Sequence, residues 1–532
     1  MPEAAAPSNL LGDEAISRFI ERGWLRLQVD GDGNIHDSIE RELRQTIEHE
    51  APPGNNLLAR IPAIWQVLRA PVVHGALTSL LGPNYLVHPH RAIHSSTPAP
   101  AQDGHLDVFA DGPAMGPGSM AGSRWHQDAQ SPLARARHHL PRYLIGFYFP
   151  HDVPLEMGPT RWQPGTQYDA APGPVRDVEQ PSDITAGTLV LLHFDMVHAA
   201  FPNRTAQTRY MLKFVFARTQ HPSGASWRHH QAYDPAFRPG SPERYIWDWL
   251  RGASPEAVKA DAPGGVHLGD AELDAALNDV DASRRLQAIY AHETRASVPA
   301  LARALANCSG KGRSLRRLLP GRDGRPGLRD DVSGDPRCWT ERAIVMEGAA
   351  YALAAAGPSA VSALTALLDD SDPWVQLNAA FALGEIGPAS ASAQSALCSL
   401  LHRGDQTVVR TCIDALGAMG VPLGPALPAF SSLLIAERPE WNQALVGRGW
   451  TARDQIVLNI ACALLAAVAV PGEDLDSVQA LLLTCLEEHS GYAGAVASEG
   501  LIRLARPEAT AAALQYLQDR RWDEAIRGKR MY

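Results

Sequence analysis

A histidine and an aspartate two residues apart in an extended chain point to the same side, so a His-x-Asp pair can offer an imidazole and a carboxylate to one metal ion. Three such pairs occur here: His105/Asp107, His126/Asp128 and His193/Asp195. A second histidine from another strand would complete a set of two imidazoles and one carboxylate. That donor set suits non-haem Fe(II) and leaves the opposite positions open for substrate and dioxygen. The compact run His193-Phe-Asp-Met-Val-His198 cannot supply it as a plain strand, because His198 then falls on the face opposite His193. His105/Asp107 sits in Gly104-His-Leu-Asp-Val-Phe-Ala-Asp-Gly112, between turn residues, and spacing alone leaves it open as a short strand or loop beside the site. His126/Asp128 lies in Ser123-Arg-Trp-His-Gln-Asp-Ala-Gln130. Beyond His198 stands Arg209, opening the run Arg209-Tyr-Met-Leu-Lys-Phe-Val-Phe216. As a strand, this run puts Arg209, Met211 and Lys213 on one face and Tyr210, Leu212, Phe214 and Phe216 on the other. The planar fork of an arginine holds a carboxylate in a bidentate pair. It suits 2-oxoglutarate, whose keto-acid end chelates iron while its distal carboxylate needs a cation.

These residues need strands to position them, and the first half of the chain supplies the pattern. From about 10 to 250 the sequence is rich in His, Trp, Pro and Gly, with short, partly alternating apolar runs that read as strands at Tyr143–Phe149, Leu189–Phe194 and Arg209–Phe216. His88, His90, His94, His105 and His193 are expected as strand histidines near the pocket, of which at most one or two touch substrate. Trp125, Trp162 and the aromatic strand faces are expected in the core.

The second half has another grammar. From about 268 it becomes Ala/Leu-rich with helical spacing, after the Pro/Gly-punctuated passage from Leu250 to Gly265. Ala350-Tyr-Ala-Leu-Ala-Ala-Ala-Gly-Pro358 returns as Ala380-Phe-Ala-Leu-Gly-Glu-Ile-Gly-Pro388 and as Asp414-Ala-Leu-Gly-Ala-Met-Gly-Val-Pro422. After each Gly-containing stop comes a second apolar helix, expected at 361–368, 393–401 and 426–434. A helix pair of this kind cannot bury its apolar face alone, so neighbouring pairs stack into an α-solenoid.

At 532 residues the chain is long enough for two to four domains. Its net charge of −10, with no long basic run, predicts no nucleic-acid partner and no membrane surface. The seven basic residues between Lys311 and Arg329 (Lys311, Arg313, Arg316, Arg317, Arg322, Arg325, Arg329) read as a solvated loop, with docking of an anionic substrate as the alternative. All six cysteines lie in the second half without zinc-knuckle spacing, as small core residues of a reduced protein. The N-terminus lacks a basic n-region, and the longest mostly apolar stretch, Ile456 to Val470, is short of a span. A soluble, cytoplasmic protein is expected. Among the weaker motifs, Gly116-Pro-Gly-Ser-Met-Ala121 lacks the following helix a dinucleotide site needs, and neither a Walker A lysine nor a G-x-S-x-G elbow occurs.

Taken in order, Trp125-His-Gln-Asp128, Glu156-Met-Gly-Pro159 leading to Gln163-Pro-Gly-Thr166, and His198 with Arg209 after it resemble the phytanoyl-CoA dioxygenase family of Fe(II)/2-oxoglutarate oxygenases over roughly 10–250. Phe19-Ile-Glu-Arg-Gly-Trp24 and Leu80-Leu-Gly-Pro-Asn-Tyr85 resemble its opening helix-and-strand pattern. The pattern Val375-Gln-Leu-Asn-Ala-Ala-Phe-Ala-Leu-Gly-Glu-Ile-Gly387 resembles HEAT repeats, strongly over 345–435 and more weakly over the flanking 270–306 and 452–520.

The resemblance implies a multidomain chain. Residues 1–253 would form a double-stranded β-helix (jelly-roll, cupin-like) with flanking helices, 254–267 a linker and 268–532 an all-α HEAT-repeat solenoid. It implies that His126, Asp128 and His198 bind Fe(II) and that Arg209 binds 2-oxoglutarate. Gln127 matches a position that contacts the cosubstrate in some members. Ala200 stands where relatives often carry a hydroxyl, and the retained Asp128 argues against halogenation. The implied reaction consumes O2 and 2-oxoglutarate, releases succinate and CO2, and hydroxylates an unactivated C–H of a small organic substrate, with secondary metabolism as the setting. Two alternatives stand beside it: an oxygenase acting on a protein, peptide or carrier-tethered substrate recruited by the solenoid, and a binding scaffold with a degenerate jelly roll.

Overall fold

The computed structural model describes residues 9–30, 34–50, 53–97, 125–128, 135–136, 139–169, 174–253, 269–279, 281–309, 319–320, 326–327, 338–340, 343–436, 438–447, 450–488 and 490–520. The pair His105/Asp107, the expected linker 254–267 and the basic segment 311–329 apart from 319–320 and 326–327 lie outside the described residues.

The N-terminal part runs α1 (Asp13–Arg22), β1 (Trp24–Gln28), α2 (Ile35–His49), α3 (Leu57–Arg60), α4 (Ile64–Leu68), α5 (Pro71–Leu81), β2 (Leu86–Ser96), β3 (Arg135–Ala136), β4 (Tyr143–Tyr148), β5 (Val153–Pro154), β6 (Arg161–Trp162), β7 (Asp183–Ile184), β8 (Thr188–His193), β9 (His198–Ala199), β10 (Arg209–Ala217) and α6 (Pro242–Leu250). Helix α1 stops because Gly23 turns left-handed (φ 76°), where a Cβ would collide with the Met196 and Gln167 side chains.

Five strands form one antiparallel sheet in the order β1-β8-β4-β10-β2. Its outer face, with Leu144, Leu189, Leu191, Leu212 and Phe214, packs on Ile16, Phe19, Leu43 and Leu77 of the helices. Its inner face, with Ile145, Phe147, Val190, Leu192, Met211 and Val215, packs on Val153, Met157, Trp162 and Ile184. Those partners come from the two-stranded pieces β5·β7 and β6·β9 and the turn between β5 and β6. A sheet buried on both sides carries near-continuous apolar strands, and each fully buried Leu or Phe adds about 1.5–3 kcal/mol. Of the expected double-stranded β-helix, the described residues therefore show one complete sheet opposed by short paired strands.

The C-terminal part is helical: α7 (Asp270–Leu277), α8 (Ala282–Tyr290), α9 (His292–Ala296), α10 (Val298–Ala306), α11 (Gly348–Ala356), α12 (Val361–Leu367), α13 (Pro373–Ile386), α14 (Gln394–Arg403), α15 (Gln406–Ala418), α16 (Leu427–Ile435), α17 (Pro439–Gln443), α18 (Ala452–Ala467), α19 (Leu475–Leu486), α20 (Gly491–Arg503) and α21 (Pro507–Arg520). Helices α11, α13, α15, α18 and α20 pack in succession, with α12, α14, α16 and α19 against them. The aligned glycines recur with one conformation: φ is 69° at Gly357, 75° at Gly387 and 66° at Gly420. Close approach within the stack needs small residues, and a Cβ on Gly384 would meet Ala415, one on Gly417 Ala463. The 20-residue stretch Gly348–Leu367 exceeds Ile456–Val470 as the most membrane-like by length and composition; it is broken at Gly357 and packed into the repeat core. Cys308, Cys398, Cys412 and Cys485 are buried, and Cys462 is half-buried.

The two parts interlock. Arg142 forms an ion pair with Glu385 (2.8 Å, each side chain 10% exposed), and His139 hydrogen-bonds Tyr290. Further along the chain, Arg503 donates to the carbonyls of Asn84 (2.8 Å) and Tyr85 (2.9 Å).

Candidate metal centre

Strand β9 is two residues long, and its first residue, His198, is fixed from two sides. It pairs with Trp162 of β6, and it forms a reciprocal bridge with His126, whose N–H meets the His198 carbonyl at 3.1 Å while His198 N–H meets the His126 carbonyl at 3.0 Å. This pairing draws together residues far apart in sequence: the ligand atoms of His126, Asp128 and His198 all lie within 4.8 Å of one another. The two imidazole centroids are 4.4 Å apart, and the His198 ring packs against Phe147. Asp128 and His198 are buried, whereas His126 is exposed, so the cluster opens on one side. The only ladder pairing at His126–Asp128 among the described residues is the bridge at His126, and the chain there presents both side chains to one point.

His198 Nδ1 lies 2.9 Å from the Met196 carbonyl. A ring nitrogen facing a carbonyl carries the proton, which leaves the Nε2 lone pair directed at the cluster, as a metal-ligating histidine requires. Burial and the neighbouring His126 push the His198 pKa down to about 3, so the imidazole is neutral near pH 7. Burial alone would raise the Asp128 carboxyl, but the Lys213 ammonium 2.5 Å from Oδ2, followed by His198 and His126, holds it well below the usual carboxylate range. Two imidazoles and a carboxylate converging on one point are a donor set for a divalent transition metal, and the residues fit iron by this chemistry.

Arg209 opens β10 and is almost wholly buried, as Lys213 is, on the inner face where the alternation puts it. It donates to the Gly158 carbonyl, and burial lowers its pKa to about 10. Among the described residues its Nε meets no partner, and neither does Ser96 Oγ at the position paired with it in β2. An unmatched, buried guanidinium nitrogen is what a carboxylate ligand would satisfy.

Gln127 is not brought to the centre. Its amide nitrogen reaches the carbonyls of Asp195 (2.8 Å), Asp169 (3.1 Å) and Thr166 (3.4 Å), away from the two residues flanking it, as alternation along an extended chain dictates. It pins the ligand segment to neighbouring loops. His193 is likewise removed from the site, with Nε2 against the carbonyls of His139 and Leu140. His94 lies on the inner face opposite Met211. Lys213 shares a strand face with Arg209 in the sequence, but its partner Asp128 is 85 positions away and no spacing rule names it. A separate cavity of about 310 Å³ lies between α6 and the solenoid, lined by Tyr245, Trp249, Tyr290, Ile386 and Pro388 among others and by none of the cluster residues.

Residues 41–211 match the model of the family described as phytanoyl-CoA dioxygenase, and residues 340–417 and 360–446 match that of HEAT repeats. The chain thus carries a phytanoyl-CoA dioxygenase domain followed by HEAT repeats. No curated protein matches the chain. Similar solved structures include the non-heme alpha-ketoglutarate-dependent epimerase SnoN from nogalamycin biosynthesis, at 14% identity and a TM-score of 0.28 over 39% of this chain and 82% of that one. Others are the non-heme monooxygenase ThoJ with nickel (19%, 0.28, over 42% and 89%) and CytC3 with Fe(II) and alpha-ketoglutarate (16%, 0.28, over 40% and 80%).

Proposed function

We propose that the protein is an Fe(II)- and 2-oxoglutarate-dependent dioxygenase that hydroxylates an unactivated C–H bond of a small organic molecule, forming succinate and CO2 as coproducts. The observation that carries this reading is the convergence of His126, Asp128 and His198 within 4.8 Å, in a segment that matches the phytanoyl-CoA dioxygenase family. In the proposed site these three side chains hold Fe(II), which when bound supplies the oxidative decarboxylation of 2-oxoglutarate with O2. The remaining work belongs to the chain. Met196 orients His198 through its carbonyl, Lys213 keeps Asp128 ionised, and Arg209 presents its fork to the distal carboxylate of 2-oxoglutarate. Phe147, whose ring lies 5.6 Å from that of His198, and Trp162, paired with His198 across β6 and β9, set apolar side chains beside the cluster.

The scaffold alternative requires a degenerate site, and the complete donor set counts against it. Recruitment of a carrier-tethered or protein substrate by the solenoid is not favoured by any particular feature of the described residues. Anaerobic titration of the purified protein with Fe(II) and 2-oxoglutarate, followed by oxygen, tests the proposal. Stoichiometric metal binding and succinate release, both lost in His126→Ala and His198→Ala, are expected. Wild-type protein that binds no iron and makes no succinate would overturn it.

A further inference from the structure

The site as described leaves His90 without a task, although it is buried in β2, two residues from Ala92, the cross-strand partner of Lys213, and feels the charges of both Lys213 and Asp128. Its partner comes from the solenoid: the hydroxyl of Tyr492, in α20, lies 2.9 Å from His90 Nδ1. The direction of each hydrogen bond here follows from a donor that has no choice. The main-chain N–H of Arg91 can only donate, and it meets Asn55 Oδ1 at 2.9 Å. The other end of that amide, Asn55 Nδ2, must then donate, and it meets Tyr492 Oη at 2.9 Å. The Tyr492 hydroxyl, which accepts there, still has a proton of its own to give, and we read its 2.9 Å contact as donation to His90 Nδ1. Burial pushes the His90 pKa down to about 3, so the ring is neutral, and a neutral imidazole that accepts at Nδ1 carries its proton on Nε2. His88 is set the same way, its Nδ1 accepting the His90 main-chain N–H at 3.0 Å.

We propose that Tyr492 is a positioning residue of the oxygenase pocket: it locks His90 in the Nε2-protonated tautomer, so that the wall beside Asp128 and Lys213 carries a neutral N–H donor for a carboxylate, carbonyl or hydroxyl oxygen of the small molecule held there. The location of that molecule rests on reading His126, Asp128 and His198 as the metal centre; the tautomer does not. The solenoid thereby supplies part of the pocket. Tyr492 is itself held from the solenoid side, its ring meeting Trp450 edge-on at 5.3 Å.

The test is made on full-length, metal-free protein labelled with 15N-histidine, whose long-range 15N–1H correlations report the protonated nitrogen of each imidazole; His90→Gln identifies the His90 signals. In wild type His90 is expected as the Nε2–H form. Tyr492→Phe keeps the ring and removes the hydroxyl, and the Nδ1–H form should then appear. Asn55→Ala, which frees the tyrosine hydroxyl from its anchor, should also unlock the tautomer, and serves if Tyr492→Phe does not fold. Arg503→Gln breaks a different contact between the same two parts and should leave His90 unchanged, which separates positioning from loss of packing. An Nδ1-protonated His90 in wild type, or a tautomer indifferent to both Tyr492→Phe and Asn55→Ala, overturns the inference. Titration of the same samples with Zn(II) and 2-oxoglutarate distinguishes the two proposals. Binding with an unresponsive tautomer sinks this inference alone, and a responsive tautomer without binding sinks the proposed function instead.

Discussion

Lys213 and Asp128 are both nearly inaccessible, with side chains 5% and 3% exposed, and removing one member of such a pair strands the other charge. Lys213→Met should therefore destabilise the metal-free protein by about 3–5 kcal/mol. Divalent metal should restore part of this by supplying the missing positive charge. Thermal melts with and without Mn(II) check it, the metal-induced rise in Tm being larger in the variant than in wild type. Arg209→Lys keeps the charge and loses the fork, so 2-oxoglutarate binding measured by calorimetry should weaken roughly tenfold or more. The pH dependence follows from His90 and His198, whose folded pKa of about 3 lies below the ordinary 6.5. Between those values the unfolded chain binds more protons than the folded one, so the stability present above pH 6.5 is lost as the pH falls toward 3. The Tm of metal-free protein should drop over that window, and His90→Gln should flatten the slope. A Tm unchanged between pH 6.5 and 4 would contradict the burial of these neutral rings.

At the scale of the element, the repeat glycines separate two effects that usually travel together. Gly387 and Gly420 share a left-handed φ, 75° and 66°, so alanine strains the backbone at either. At Gly387 a Cβ would also fall 2.7 Å from His221 Nδ1, on the N-terminal part, whereas at Gly420 the nearest atom, in Pro388, is 3.8 Å away. Denaturant titration should find Gly420→Ala destabilised by about 1–3 kcal/mol and Gly387→Ala by more. Equal losses would mean that His221 yields at no cost. These helix stops were readable because a local 30- to 33-residue repeat fixes them. The strands β4, β8 and β10 were readable from their apolar runs. The opposing short strands were not, since two-residue elements such as β6 and β9 exist through the partner each finds rather than through propensity.

At the scale of the molecule, the solenoid meets the N-terminal part through Tyr290 and Glu385 and, further along the chain, through Tyr492 and Arg503. Elements joined by buried polar contacts of this kind unfold together. Calorimetry on the full chain should show one cooperative transition; two well-separated transitions would mark the parts as independent. Truncation before residue 269 would bare Arg142, His90 and Asn55, and should abolish 2-oxoglutarate turnover along with any substrate recruitment. Survival of turnover would return the solenoid to the status of a detachable module.

The composition of the site was written in the chain. Residue types and alternation made His126/Asp128 one of three His-x-Asp candidates, and the resemblance to the phytanoyl-CoA dioxygenase family singled it out, with His198 and Arg209, as the proposed ligand set. The same alternation points Gln127 away from the side shared by His126 and Asp128. Only the folded chain decided that Lys213 neutralises Asp128 and that Tyr492 reaches His90. Those partners are 85 and 402 positions apart. Local pattern carries no information about such pairs, because the side chain that meets a buried charge or imidazole is selected by the packing of whole elements against one another.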